Sequence, residues 1–307
     1  MTAVNHTTLE KDGATLDLLD DGQGQRILIN RLGAEMIGLQ VKDAASQWQG
    51  FLYRDGDVAP PASGWANHAT VMGYFLHRLV GEQSHYRGSL IRGGNHGFLR
   101  HFKFAAPRRT GEILIYSLPP EQIPPEAYPL RVGLDLSYSL SGEGLRVGFR
   151  FQNFEPEREA HLSFGVHPGF AVRSVMDCRV TFPPGHYVRH FAPDNFLDGR
   201  TEGFDFAGGA MPFSRAELPG SFLISLAGVP SPKFQIEDAG RRMELDFTGV
   251  PYMTLWSDGG PFLCMEPCWG LPDSKPQKPF QEKVGIQVLA PGAIFEASFG
   301  IHASITP

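Results

Sequence analysis

Residues 130–154 read LRVGLDLSYSLSGEGLRVGFRFQNF. In the first arm every second residue is apolar or aromatic: Leu130, Val132, Leu134, Leu136, Tyr138 and Leu140. After SGEG at 141–144 the alternation resumes with Leu145, Val147, Phe149 and Phe151. A period of two sends successive side chains to opposite faces of a sheet, so each arm has one face to bury and one to wet. Two such arms joined by a short link containing glycine predict an antiparallel hairpin.

Outward from this hairpin, short runs at 26–30, 35–41, 112–118, 177–182, 221–226, 242–247, 262–266, 284–289 and 294–299 also read as strands,. Helical periodicity is nearly absent. The segment PPEQIPPEAYP at 119–129 cannot continue a helix and leads as a loop into the hairpin,. Residues 189–219 mix Gly, Pro, Asp and aromatics without a clear period and predict a long excursion over the surface. The 36 Gly and 25 Pro among 307 residues suit many strands joined by turns, and the 23 Phe suit a pleated, half-buried surface,. No repeat of fixed period and no low-complexity linker divides the chain. The expected architecture is all-β, one large antiparallel β-sandwich domain over residues 1–307.

A formal charge of −6 argues against nonspecific attraction to nucleic acid or anionic lipid, since phosphate binding needs concentrated Lys and Arg,. It leaves room for a small phosphorylated ligand held by one or two local arginines. The first twenty residues lack a basic start followed by an apolar run, and no apolar stretch approaches the roughly 20 residues that span a membrane,. Cys178, Cys264 and Cys268 cannot all pair within one chain. The expectation is a soluble cytoplasmic protein with reduced cysteines, no nucleic-acid or membrane partner, and an oligomeric state that the sequence leaves open. The CMEPC spacing of Cys264 and Cys268 resembles half of a metal site, but no second Cys or His pair follows at defined spacing, and burial is the better reading,.

Three segments look unlike core filler. In GGNHGFLR at 93–100, His96 is flanked by glycines, where a ligand can approach the backbone closely; an exposed turn histidine would look the same. In FGVHPGF at 164–170, His167 precedes Pro168, which biases it to extended backbone at the end of a strand-like run; a buried, satisfied histidine is the plainer alternative,. In FLCMEPCWGLPD at 262–273, Glu266 ends an apolar run, although an edge-strand glutamate reaching water would fit too. Carboxylates are seldom buried without a partner, and a desolvated one has a raised pKa that suits a base near neutral pH. One group able to give a proton and one able to take it are the minimum for paired acid–base chemistry. Phosphate-binding and dinucleotide glycine motifs, a GxSxG elbow, HEXXH and HxH pairs are all absent from the sequence,. Histidines 77, 96, 101 and 167 therefore do not compose a recognisable metal site, and neither a metal nor a cofactor is expected.

At these same segments the chain resembles the aldose 1-epimerase (galactose mutarotase-like) family, in its LacX-like bacterial branch. HGFLRHFKF is similar to that branch's HGFaR segment, and residues 128–153 to its central hairpin, with Asn153 matching the family's asparagine. FGVHPGF resembles fGxHPxF, FLCMEPCWGLPD resembles fxCxEPWxGxxD, and EKVGIQVLAPGAIFEASFGI resembles the closing strands. The resemblance implies a supersandwich with a sugar groove on one face. It also implies interconversion of the α and β anomers of a free sugar, with His167 as general acid, Glu266 as general base, His96 stabilising the reacting oxygen and Arg78 of HRLVG binding sugar hydroxyls. Such a pair implies a bell-shaped pH profile. Two departures concern the substrate. The family's nDaL aspartate has no acidic counterpart in PGSFLIS, which offers Ser221 and Phe222, and Trp269 stands one place later than in EPWxG. Two alternatives share the groove. One is a hexose-6-phosphate epimerase using Arg78, Arg92 or Arg100 on the phosphate, and the other is a binding or sensing protein without turnover. A glycoside hydrolase fits less well, because that chemistry normally uses two carboxylates and only Glu266 has a distinctive setting.

Overall fold

The computed structural model describes residues 4–306. Its two largest sheets are antiparallel, one of nine strands and one of eight, with a five-stranded meander over residues 5–50 and a small two-stranded hairpin beside them. Helical structure among the described residues is confined to short 3-10 turns. None is long and apolar enough to cross a membrane.

The hairpin at the heart of the sequence forms strands Val132–Ser141 and Gly144–Asn153, in register from Val132 opposite Asn153 to Ser141 opposite Gly144. The turn is therefore tighter than SGEG, with only Gly142 and Glu143 outside the ladder. The apolar alternation faces inward as expected, and the intervening residues are partly or fully exposed along most of both arms. These strands lie in the nine-stranded sheet, flanked by Ile113–Leu118 and Ile294–Ile305. Phe149 and Phe151 pack against Phe164 of the eight-stranded sheet at ring distances of 4.8 and 4.6 Å, which seals the layer between the two sheets.

The eight-stranded sheet positions the site. Its central strands are Tyr252–Trp256, Phe262–Trp269 and Ala160–Ala171, and Ala69–Tyr74 pairs along the far edge of Ala160–Ala171. Every residue of Phe262–Trp269 and all but the last of Ala160–Ala171 are buried, as continuous apolar runs covered on both faces should be,. Residues 189–219 are less irregular than expected. Gly185–His190 and Thr201–Phe206 form a hairpin at the outer edge of this sheet, and a short 3-10 turn, Arg215–Gly220, follows. The alternation of Phe204 and Phe206 in TEGFDF is real, but Glu202 on their own face and Gly203 and Asp205 on the other hide it in the sequence,.

Candidate active site

The register of two central strands brings the first two candidate residues together. Gly165 pairs with Cys268 and Gly169 with Cys264, so His167 stands directly opposite Glu266. Directly opposed residues of antiparallel strands point to the same face. On the flanking strands Thr254 is the partner of Glu266 and Thr70 the partner of His167. One row across the sheet thus reads Thr254, Glu266, His167, Thr70, and all four line one cavity of about 340 Å³. Pairing is recorded on either side of residues 166–168, where Pro168 has no N–H to give the ladder,. Phe164 turns to the sandwich core, so His167, an odd number of positions along, turns away from it to the outer face.

Loops cover that face. Asn67, His77, Arg78, Asn95, His96, Arg100, Asn195 and Ser221 complete the cavity with Trp65 and Trp256. His96 is held by its neighbours' backbone: its N–H donates to the His77 carbonyl at 2.7 Å, and its own carbonyl accepts from Gly73 at 3.1 Å. The following Gly97 has φ of 73°, and a Cβ there would collide with the Gly73 carbonyl oxygen. Gly169 serves the other wall, because a side chain on it would collide with the ring of Trp65. Trp65 and Trp256 then flank the His167 imidazole at ring distances of 5.1 and 5.6 Å, and His96 meets it edge-on at 5.2 Å.

His167 Nε2 lies 3.2 Å from Glu266 Oε1, within the range of direct proton transfer,. His167 is 7% exposed and Glu266 1%. Burial penalises both charged forms. It pushes the imidazole down to about 3, with help from His77, and raises the carboxyl well above its ordinary 4.5. Burial, then the proximity of His167, His77 and two arginines, also holds His96 well below 6.5. Four buried polar atoms around this cavity lack a hydrogen-bond partner: His77 Nε2, His96 Nδ1, His167 Nδ1 and Glu266 Oε2. Buried donors and acceptors are satisfied in the great majority of cases, so a cluster of orphans facing a cavity marks a place for a polar ligand.

His96, His167, Glu266 and Arg78 are thus brought to one cavity, with Arg78 exposed at its rim and Arg100 on the wall, where it donates to Asn67 Oδ1 at 3.1 Å. Arg92 is exposed on the hairpin formed by Gln83–Tyr86 and Ser89–Arg92 and does not line the cavity. Trp269 does not line it either. One place along a strand is the other face, and Trp269 stacks on Phe164 in the core at 4.9 Å with the rings 6° apart. The indoles at the cavity come from Trp65 and Trp256, and Ser221, in the segment that lacks the family's acid, lines it together with Asn195. Thr70 and Thr254 become visible only once strand register is known. Trp65 and Asn195 carry no local signal.

A broader depression of about 830 Å³ lies over the nine-stranded sheet. Its acids are already engaged, Asp135 by Ser117 at 2.6 Å and Glu296 by Arg150 at 3.7 Å, and it holds no histidine. Size alone does not make it the chemical site.

Fold and site together define an antiparallel supersandwich with a buried histidine–glutamate pair on the outer face of one sheet. Residues 17–302 match the sequence model of the family described as aldose 1-epimerase, and the chain belongs to that family. Protein LacX of Lactococcus lactis subsp. lactis is 24% identical over 205 residues, which cover 60% of this chain; the matched region spans 65% of LacX. A galactose mutarotase related enzyme from Lactobacillus acidophilus superposes with a TM-score of 0.81 at 22% identity over 98% of both chains. A galactose mutarotase-like protein from Lactobacillus casei gives 0.78 at 21% identity, covering 98% of this chain and all of that one. Galactose 1-epimerase from Lactobacillus acidophilus gives 0.73 at 13% identity over the whole of both chains. The fold is that of the galactose mutarotase-like proteins.

Proposed function

We propose that the protein is a mutarotase that opens and recloses the ring of a free aldose or a close derivative, using Glu266 and His167 as the proton-transfer pair. The direct opposition of the two groups at 3.2 Å, in a cavity whose polar atoms lack partners, carries this reading.

Burial drives both groups towards their neutral forms, so the pair holds one proton between them. A sugar hydroxyl donating to the unpartnered Oε2 favours the carboxylate form of Glu266 and so shifts the shared proton to His167. Glu266 then takes the proton from the anomeric O–H while His167 gives its proton to the ring oxygen. The bond from C1 to the ring oxygen breaks, and an open-chain aldehyde remains. Rotation about C1–C2 presents the other carbonyl face, and the two groups act in reverse to close the ring. Each positioned proton transfer is typically worth about 10²–10⁴-fold. His96, kept neutral by burial, offers its ring N–H to the reacting oxygen, and Arg78 reaches the hydroxyls from the rim. Trp65 and Trp256 give the C–H face of the ring an apolar wall.

Following anomer exchange by NMR across a panel of free aldoses tests the proposal. Acceleration with at least one sugar is expected; none with any sugar contradicts it. A second reading, a sugar-phosphate epimerase, draws on Arg78 and Arg100, two cations lining one cavity. Inorganic phosphate would then compete with the sugar. Saturable sugar binding in calorimetry without exchange would instead make the protein a binding module.

A further inference from the structure

The strand Phe262–Trp269 brings a thiol to the same face as the carboxylate. Glu266 and Cys268 are two positions apart and therefore point the same way. The late placement of Trp269 puts an indole in the core and leaves a cysteine beside the acid. Sγ of Cys268, a carboxylate oxygen of Glu266 and a ring nitrogen of His77 all lie within 4.8 Å of one another. Cys268 is fully buried beside Met72 and Leu76, and its polar contact is with Thr254 Oγ1 at 3.7 Å. His77 Nε2 and Glu266 Oε2 are buried without partners.

We propose that Cys268, Glu266 and His77 form a site for a thiophilic divalent cation of the zinc class, and that the bound cation excludes sugar from the cavity. Thiolate, imidazole and carboxylate are the donors such ions take, and three protein ligands leave a fourth position open. Bond lengths of about 2.0–2.3 Å around a tetrahedral ion set ligand atoms roughly 3.3–3.8 Å apart, so the three must draw in by about 1 Å. Side-chain rotation of His77, which sits on a covering loop, supplies much of that movement. The cation reaches the site through the cavity that His77 and Glu266 line. Arg78 and Arg100 line the same cavity, and Lys283, buried and paired with Asp273 at 3.6 Å, adds positive charge against His77.

Binding costs the thiol its proton: the S–H bond breaks, sulfur binds the ion with the electron pair it keeps, and that proton leaves to solvent, while the proton Glu266 shares with His167 passes to the imidazole or leaves as well. Affinity therefore rises with pH. Glu266 cannot hold the ion and accept the anomeric O–H at once, so ion and sugar compete. The cation site itself goes beyond the proposed reaction and does not require it; the competition with turnover rests on that reading.

The test titrates Zn²⁺ into the full-length protein by calorimetry in two buffers of different ionisation enthalpy, with Cd²⁺ as a parallel probe read by its thiolate absorption band. One ion per chain, proton release and a cadmium–sulfur band are expected, with sugar weakening the binding. Cys268→Ala should abolish the band and weaken binding by about 10–100-fold or more, on the scale set by loss of metal-site partners. Its anomer exchange in chelator should match the parent and resist added Zn²⁺. His77→Ala should weaken binding without removing a thiol, and Cys268→Ser serves if the alanine variant does not fold. Absence of saturable binding, or a band and affinity unchanged in the Cys268 and His77 variants, overturns the proposal. Absence of anomer exchange in the chelated parent overturns the mutarotase reading alone, since the cadmium band still decides the cation site.

Discussion

Asp17 and Glu266 are sealed from water almost equally, at 0% and 1% exposure, yet their surroundings could hardly differ more. Asp17 lies in the meander and is saturated. Arg31 reaches its two oxygens through Nε and Nη2 at 2.9 Å each, His6 and Thr8 approach Oδ1 at 2.9 Å, and Tyr116 donates to Oδ2 at 2.9 Å. Burial alone would raise its pKa, but Arg31 and the other partners override burial and hold it at about 2. Glu266 has one close charge partner, His167, and a second oxygen without a hydrogen-bond partner. Burial therefore wins there and the carboxyl is pushed up. Equal burial does not make equal chemistry. A satisfied buried acid fixes structure, whereas an unsatisfied one keeps capacity for a ligand and a proton.

This contrast breaks if the two regions respond alike to substitution. His167→Asn should lower the rate of anomer exchange by about 10²–10⁴-fold, the worth of one positioned proton transfer, while its melting transition stays near that of the parent; NMR exchange rates and a thermal melt on one preparation check both. Asp17→Ala should do the opposite. Removing one partner of a buried, hydrogen-bonded ion pair costs about 3–5 kcal/mol of stability because the other charge is left uncompensated. Urea unfolding would show that loss, with exchange per folded molecule unchanged.

Smaller effects sharpen the comparison. Trp256→Ala should weaken sugar binding more than turnover, since the indole offers the ring a wall and no proton; the split between KM and kcat reads this. The pH responses should also separate. The folded-state pKa of Asp17 is lowered from 3.8 to about 2, so its stabilising contribution is fully present above 3.8 and is lost as pH falls through about 2,. For the pair, a second proton removes the base and loss of the shared proton removes the acid. With His167 pushed down to about 3, the acid limb of activity should lie below the ordinary histidine value of 6.5, and the alkaline limb should follow the raised carboxyl of Glu266. An acid limb centred at 6.5 would mean that burial does not govern the imidazole.

The sequence carries the hairpin at 130–154 clearly because alternation there is uninterrupted and the link is short. It carries Ala14–Asp20 poorly. Asp17 occupies a buried position in ATLDLLD, and its partners Arg31 and Tyr116 are distant in sequence and fixed only by tertiary packing. His167 and Glu266 stand out as residue types in unusual settings, but their opposition depends on strand register, which no local pattern reveals. Register also explains Trp269. An indole one residue away from the expected place is not slightly displaced but on the other face of the sheet. Arg92 illustrates the converse: proximity to His96 in sequence did not bring it to the cavity, because it belongs to the hairpin of Gln83–Tyr86 and Ser89–Arg92 while the chain turns at Asn95–Gly97 to present His96.

Glu266→Gln gives the most direct test of the central claim, because it keeps the shape of the side chain and removes its ability to take a proton. We expect anomer exchange to fall by about 10²–10⁴-fold while the thermal transition is unchanged or higher, since a buried carboxyl without full partners is replaced by a neutral amide. Exchange at the parent rate, or a fall in stability of the size expected for Asp17→Ala, would contradict it.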